Sequence, residues 1–349
     1  MLIEEDIKLD FKDVLIKPKR SSINSRNDVD LTIDYQSKHS NNKISDIIPI
    51  MVSNMDTTGT FEVSKVAMKN KLFTCIHKYY QLSEWIDFTK DKLLQENWYN
   101  YVAISSGIND IDRLYTILDC IPKIQFICLD IANGYINKFS NIIKEVRDRY
   151  PNKIIIAGNV VTSEMTQELI LSGAYIIKVG IGPGSVCTTR IKTGIGYPQL
   201  SAIIECANAA HELGAHIIAD GGCTSPGDIS KAFCAGADFV MGGGIFAGHD
   251  ECNGEIIIID NIKYHKFYGM SSSTAMIKHT GSVKKYKASE GKEVLVKYKG
   301  TILDTIIDIL GGIRSTCTYI GRNTLKNISY YTTFIRVTQQ YNPIFNSIT

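Results

Sequence analysis

The sequence has 349 residues, 44% hydrophobic and 21% charged, with a formal net charge of +2 at pH 7. Such a composition can bury a full core and excludes a disordered chain, and the near-neutral charge leaves no electrostatic footprint for nucleic acid. No apolar run reaches the roughly 18 residues that a membrane-spanning helix needs, so neither nucleic acid nor membrane is expected as a partner.

The opening, Met1-Leu2-Ile3-Glu4-Glu5-Asp6, is acidic where a secretory signal is basic. The nine cysteines are an odd number without CxxC spacing, which argues against a disulfide framework and a zinc knuckle. Reduced thiols in the cytoplasm are the expectation. The segment before Ile47 reads as an irregular lead-in. Eight apolar runs rich in Ile and Val follow: Ile47–Asn54, Leu72–Lys78, Tyr101–Gly107, Phe126–Gly134, Ile154–Val160, Ile176–Gly182, His216–Gly222 and Asp238–Gly244. Continuous runs of this kind suit strands buried on both faces of a parallel sheet.

Between the runs, Ser163–Ser172, Gln199–Leu213 and Ser225–Ala235 carry apolar residues at helical spacing, with Thr162, Ser201 and Ser225 as N-cap candidates. After the eighth run, Glu255–Ile259 and Lys263–Phe267 read as a β-hairpin and Ser271–Gly300 as a long polar, mobile flap. Its Lys284-Lys285-Tyr286-Lys287 run reads as a solvated loop rather than a polyanion site. A helix near Thr301–Leu310 and a tail complete the chain. Eight alternations of strand and helix predict a closed (β/α)8 barrel forming one domain over residues 1–349. A Rossmann sheet is the alternative, but it wants an early GxGxxG turn that is absent here.

Polar residues and glycines fall at all eight strand ends, the face where such barrels carry their active sites. Examples are Asn54-Met55-Asp56, His77-Lys78, Asp130-Ile131-Ala132-Asn133-Gly134 and Gly158-Asn159. Asp220-Gly221-Gly222 and Gly243-Gly244 follow strands seven and eight, where barrels often bind phosphate through backbone N–H groups. Glycine lets that backbone approach the oxygens closely, and Asp220 suits sugar hydroxyls; tight turns with a capping Asp are the alternative. In the loop after strand six, Gly182-Pro183-Gly184-Ser185-Val186 leads to Cys187 with almost no bulky side chains. Cys75 and Cys128 stand in apolar runs and read as core, whereas Cys187 stands among Gly, Ser, Thr and Arg190, surroundings that favour a nucleophilic thiolate.

The segment Gly182–Arg190 resembles the catalytic loop of the IMP dehydrogenase and GMP reductase family. The resemblance extends to Asp10–Arg20, Asn54–Thr57, Cys128–Gly134, Ala157–Thr162, Ala219–Gly222, Gly242–Gly244, Tyr268–Ser272 and Gly311–Tyr319, nearly the whole chain. Both branches of the family form a covalent thioimidate at purine C2. The dehydrogenase branch usually carries paired CBS motifs after the second strand, whereas here Lys78-Tyr79-Tyr80-Gln81-Leu82 runs straight on towards strand three. That branch also has an Arg-Tyr pair in its flap, and no arginine lies between Ile277 and Val296 here. The Tyr286–Lys292 run is similar to the reductase ending.

The reductase branch implies conversion of GMP to IMP and ammonia with NADPH. The matched positions imply Cys187 as nucleophile, with Thr189 and Glu290 as the proton path to the departing amine. Alternate residues of an extended loop share a side, which groups Cys187 with Thr189; Glu290 rests on the resemblance. For GMP the resemblance implies Asp220, Gly221, Gly222, Gly243, Gly244, Gly269, Met270 and Ser271, with Lys287, Ala288, Ser289 and Gly291 closing over the base. Position 287 is arginine in reductases and lysine here, which keeps the charge but loses a planar fork. For NADPH it implies Lys78, Asp130, Ile131, Ala132, Ile181 and Gly182. Ser25, Arg26, Ser315, Thr316, Cys317 and Thr318 would reach a neighbouring subunit's cofactor in a homotetramer. A potassium ion would sit on Gly182, Gly184, Cys187 and Arg190. A short IMP dehydrogenase and a non-catalytic nucleotide-binding barrel remain the alternatives.

Overall fold

The computed structural model describes residues 3–39, 43–282 and 288–338. Eight parallel strands close into a barrel: Ile50–Val52, Phe73–Ile76, Val102–Ser106, Phe126–Asp130, Ile154–Val160, Ile176–Val179, His216–Asp220 and Phe239–Gly242. They pair in sequence order, and the eighth closes on the first with Val240 opposite Ile50 and Gly242 opposite Val52. Their side chains are buried almost throughout, as their continuous apolar runs require. Several strands are shorter than their runs. The fourth stops at Asp130 and the sixth at Val179, because the polar and glycine residues that follow leave the ladder to build the barrel mouth.

Helices alternate with the strands, and Leu82–Thr89 lies between the second and third. Ser225 caps Pro226–Cys234 by accepting the Asp228 N–H, and Thr162 caps Ser163–Leu171 by position without a side-chain bond. Ser201 is not a cap. Its helix starts at Gln199 with Pro198 before it, and the Ser201 hydroxyl accepts the Leu9 N–H at 2.8 Å, tying the lead-in to the barrel.

Three expectations need correction. The lead-in is ordered: Val14–Ile16 pairs with Phe334–Arg336, and Ile33–Gln36 pairs with Lys43–Ile47. Tyr35 of that hairpin packs against Phe126, Tyr175, His216 and Phe239, sealing the end of the barrel opposite the mouth. The final helix runs from Ile302 to Ile320, so the supposed tail at Ile313–Tyr319 is helical. The helix continues through Gly311-Gly312, and a Cβ at Gly312 would stand 2.5 Å from the Pro226 Cβ. Close helix packing asks for that glycine. The flap also contains structure: helix Ser273–Thr280 and strand Glu293–Lys297, which adds a third strand to the hairpin of Ile256–Ile259 and Ile262–Tyr268. Lys284, Lys285, Tyr286 and Lys287 lie outside the described residues. Among the described residues no helix is long and apolar enough to cross a membrane.

Candidate active site

A cavity of about 800 Å³ opens at the C-terminal ends of the strands, within the roughly 300–1,000 Å³ of small-molecule sites. Cys187, Thr189 and Glu290 all border it. Cys187 Sγ lies 3.2 Å from Thr189 Oγ1, and that hydroxyl donates to Glu290 Oε2 at 2.8 Å. Backbone bonds fix the arrangement: the Thr188 N–H donates to the Glu290 carbonyl at 2.9 Å, and Cys187 bridges Gly291 in antiparallel register. Two segments far apart in the chain thereby deliver a thiol, a hydroxyl and a carboxyl in one line.

Cys187 is half-buried, while burial pushes the thiols of Cys206 and Cys317 up to about 12. Cys223 also borders the cavity, but burial holds its thiol well above the ordinary range. The Arg190 guanidinium, expected beside the nucleophile, instead pairs with Asp10 at 3.3 Å and donates to the Tyr197 carbonyl. Its stem packs over Gly182, where a Cβ would come within 2.5 Å of Arg190 Cγ.

The glycine loops border the same cavity. Gly221 and Gly222 adopt φ of 88° and 85°, a left-handed conformation suited to glycine. A Cβ at Gly221 would lie 3.2 Å from the Gly184 nitrogen, so the phosphate-type loop and the cysteine loop are in contact. Gly243 and Gly244 enter a short turn of helix, and Gly269, Met270 and Ser271 border the same space. Ser289 accepts the Ser273 N–H through its hydroxyl at 3.1 Å. Ala288 is exposed, and Lys287 lies outside the described residues.

The cavity is also lined by Lys78, Asp110, Asp130, Ile131, Ala132, Ile181 and Gly182. Lys78 Nζ pairs with Asp110 at 3.3 Å. Beneath it, Asp130 accepts from Lys178 at 2.5 Å and from Asn54 at 2.8 Å, and Asp220 accepts from Asn159 at 2.8 Å. Residues outside the cavity are equally plain. Ser25 and Arg26 sit at the start of a short helical turn, and Ser315, Thr316, Cys317 and Thr318 lie on the final helix. None of these six borders the cavity. Thr316 Oγ1 donates to Ser230 at 3.0 Å, and Cys317 is fully buried.

Sequence reasoning missed Lys178, whose ammonium lies between Asp130 and Asp220, 3.2 Å from the latter. Burial alone would lower its pKa; Asp130 and Asp220 reverse this and hold it well above the usual lysine range. A signal was present, since a lysine in the otherwise apolar Ile176–Val179 strand is out of place unless paired. Asp56 was noted only as part of a motif. It is buried and receives three side-chain donors from beyond the eighth strand.

Residues 8–342 match the family model described as "IMP dehydrogenase / GMP reductase domain". GMP reductase 1 of Mus musculus is 58% identical over 347 residues, covering 98% of this chain and 99% of that protein. GMP reductase 2 of Homo sapiens is 58% identical over 346 residues, covering 99% and 98%. GMP reductase of Onchocerca volvulus is 56% identical over 342 residues, covering 97% and 94%.

Proposed function

The chain belongs to the IMP dehydrogenase and GMP reductase family, and on that premise we propose that it is an enzyme that converts GMP to IMP and ammonia, with NADPH as reductant. The observation that carries the reading is the line from Cys187 Sγ through Thr189 Oγ1 to Glu290 Oε2. A purine amine leaves poorly unless it is protonated, and this line brings a carboxyl to a hydroxyl beside the attacking sulfur. The Cys187 thiolate forms a bond to C2 of the guanine, and the C2–amine bond breaks as Thr189 relays a proton from Glu290 to the departing nitrogen. General acid assistance of this kind is worth roughly 10²–10⁴-fold in rate. The sulfur remains bound to C2 as a thioimidate until reduction returns the free thiolate.

Asp220, with the glycines after strands seven and eight, would hold the sugar and phosphate, and the Gly269–Ser271 segment the base. NADPH, when bound, supplies hydride at C2. The chemistry of the lining there suits it: Lys78 offers a cation, and Asp110 and Asp130 offer carboxylates, at the edge of the cavity. Lys78, Asp130, Ile131, Ala132, Ile181 and Gly182 would line its place. A potassium ion suits a loop that offers neutral carbonyl oxygens. The Gly184 and Arg190 carbonyls each accept one backbone N–H and, having two lone pairs, retain one each for a cation shared with Gly182 and Cys187.

We further propose one catalytic domain acting in the cytoplasm as a homotetramer. Ser25, Arg26, Ser315, Thr316 and Thr318 lie away from their own cavity, where they would complete a neighbour's cofactor site. The test is paired. Absorbance of the reduced nicotinamide should fall when the protein meets GMP and NADPH, and should not rise with IMP and NAD. NADH made from IMP would assign the dehydrogenase reaction, and silence in both directions a binding protein.

A further inference from the structure

Asp56 is 2% exposed and lies just past the first barrel strand, yet no step above uses it. Its Oδ2 accepts from Tyr268 Oη at 2.8 Å, Lys278 Nζ at 2.9 Å and His279 Nε2 at 2.7 Å. Tyr268 begins the segment that presents Gly269, Met270 and Ser271 to the cavity, and Lys278 and His279 end the helix that follows it. One carboxylate oxygen therefore closes that segment at both ends. His279 also stacks face to face on Tyr79, ring centroids 3.4 Å apart, beside Lys78.

Between its two anchored ends the segment holds Glu290. The Glu290 N–H donates to the Ser271 carbonyl at 3.1 Å, the Ser273 N–H donates to the Ser289 hydroxyl at 3.1 Å, and Ser272 bridges Gly291. The segment therefore packs directly on the backbone that carries the carboxyl meeting Thr189, which the cysteine loop holds from its other side. Burial works against an ionised Asp56, and the bonds from Lys278, Tyr268 and His279 overcome it, lowering its pKa below the usual carboxylate value. A buried carboxylate with these donors holds its geometry firmly.

We propose that Asp56 is a positioning residue for the deamination step: by tying both ends of the Tyr268–His279 segment to the barrel, it sets Glu290 against Thr189. The inference rests on the proton path assigned above. It separates from a general stabilising role because a residue that acts only through Glu290 has nothing left to impair once Glu290 is disabled.

The experiment measures kcat for GMP with NADPH in the full-length protein, in Asp56→Asn, in Glu290→Gln and in the double variant. Asp56→Asn is expected to lower kcat at least tenfold in the native background and less than twofold in the Glu290→Gln background. Equal losses in both backgrounds, or no loss in the first, overturn the proposal. If Asp56→Asn does not fold, His279→Leu, which removes one donor, enters the same cycle with the same criteria. Absent turnover by the unmodified protein overturns the proposed function and this inference with it, whereas equal losses in an active enzyme overturn the positioning role alone.

Discussion

The Lys178 ammonium lies 2.5 Å from Asp130 Oδ1 with 2% of its side chain exposed. It also lies 3.2 Å from Asp220, so one buried cation joins two carboxylates that border the cavity. Replacing it by an apolar side chain leaves two carboxylates close together without their common partner. Breaking a buried pair from one side typically costs about 3–5 kcal/mol. Lys178→Met should therefore shift the denaturant midpoint far down, and Lys178→Arg should recover part of the loss.

Glu290→Gln keeps the shape of the side chain that meets Thr189 but removes the carboxyl that the proposed proton path requires. We expect kcat to fall by roughly 10²–10⁴-fold with little change in the affinity for GMP, measured by equilibrium binding. Thr189→Ala, which interrupts the same line, should fall within the same range. A loss in GMP affinity that accounts for the whole drop would place Glu290 in binding rather than proton transfer.

At the closed end of the barrel, Asp238 Oδ2 lies 2.9 Å from His211 Nε2, and Asp238 Oδ1 lies 2.9 Å from His216 Nδ1. Burial opposes ionisation of Asp238, but the bond from His211 and the adjacent His216 lower its pKa to about 2. The bond to Asp238 raises the pKa of His211. A depressed carboxylate stabilises the fold above its unfolded pKa, and that stability is lost as pH falls towards 2. A raised histidine stabilises below its unfolded pKa, and that stability is lost as pH rises through the folded value. The Tm deficit of Asp238→Asn should thus be greatest near pH 5 and shrink in both directions. A deficit that does not vary with pH would contradict this assignment.

The barrel was legible because its strands are continuous apolar runs, a pattern that survives without knowledge of their neighbours. Cys187 was legible for the same kind of local reason, a thiol among small and polar residues. What escaped depended on distant partners. The final helix reads as ending at Leu310, before two glycines, until Pro226 is seen against Gly312. Tyr35 looks like part of a loose leader until it seals the barrel. Glu290, about a hundred residues beyond Thr189, reads as a solvated carboxylate on its own; only resemblance pointed to it. Lys178 could have been found from its misplaced charge alone, but not the two carboxylates that hold it.

In the proposed reaction, Cys187 carries the purine through a reductive deamination. Ammonia, IMP and oxidised NADP formed from GMP can be measured side by side for the native protein and for Cys187→Ala. Equal amounts of all three are expected from the native protein and none from the variant, which should still bind GMP. Turnover retained by Cys187→Ala, or NADP formed without matching ammonia, would contradict it.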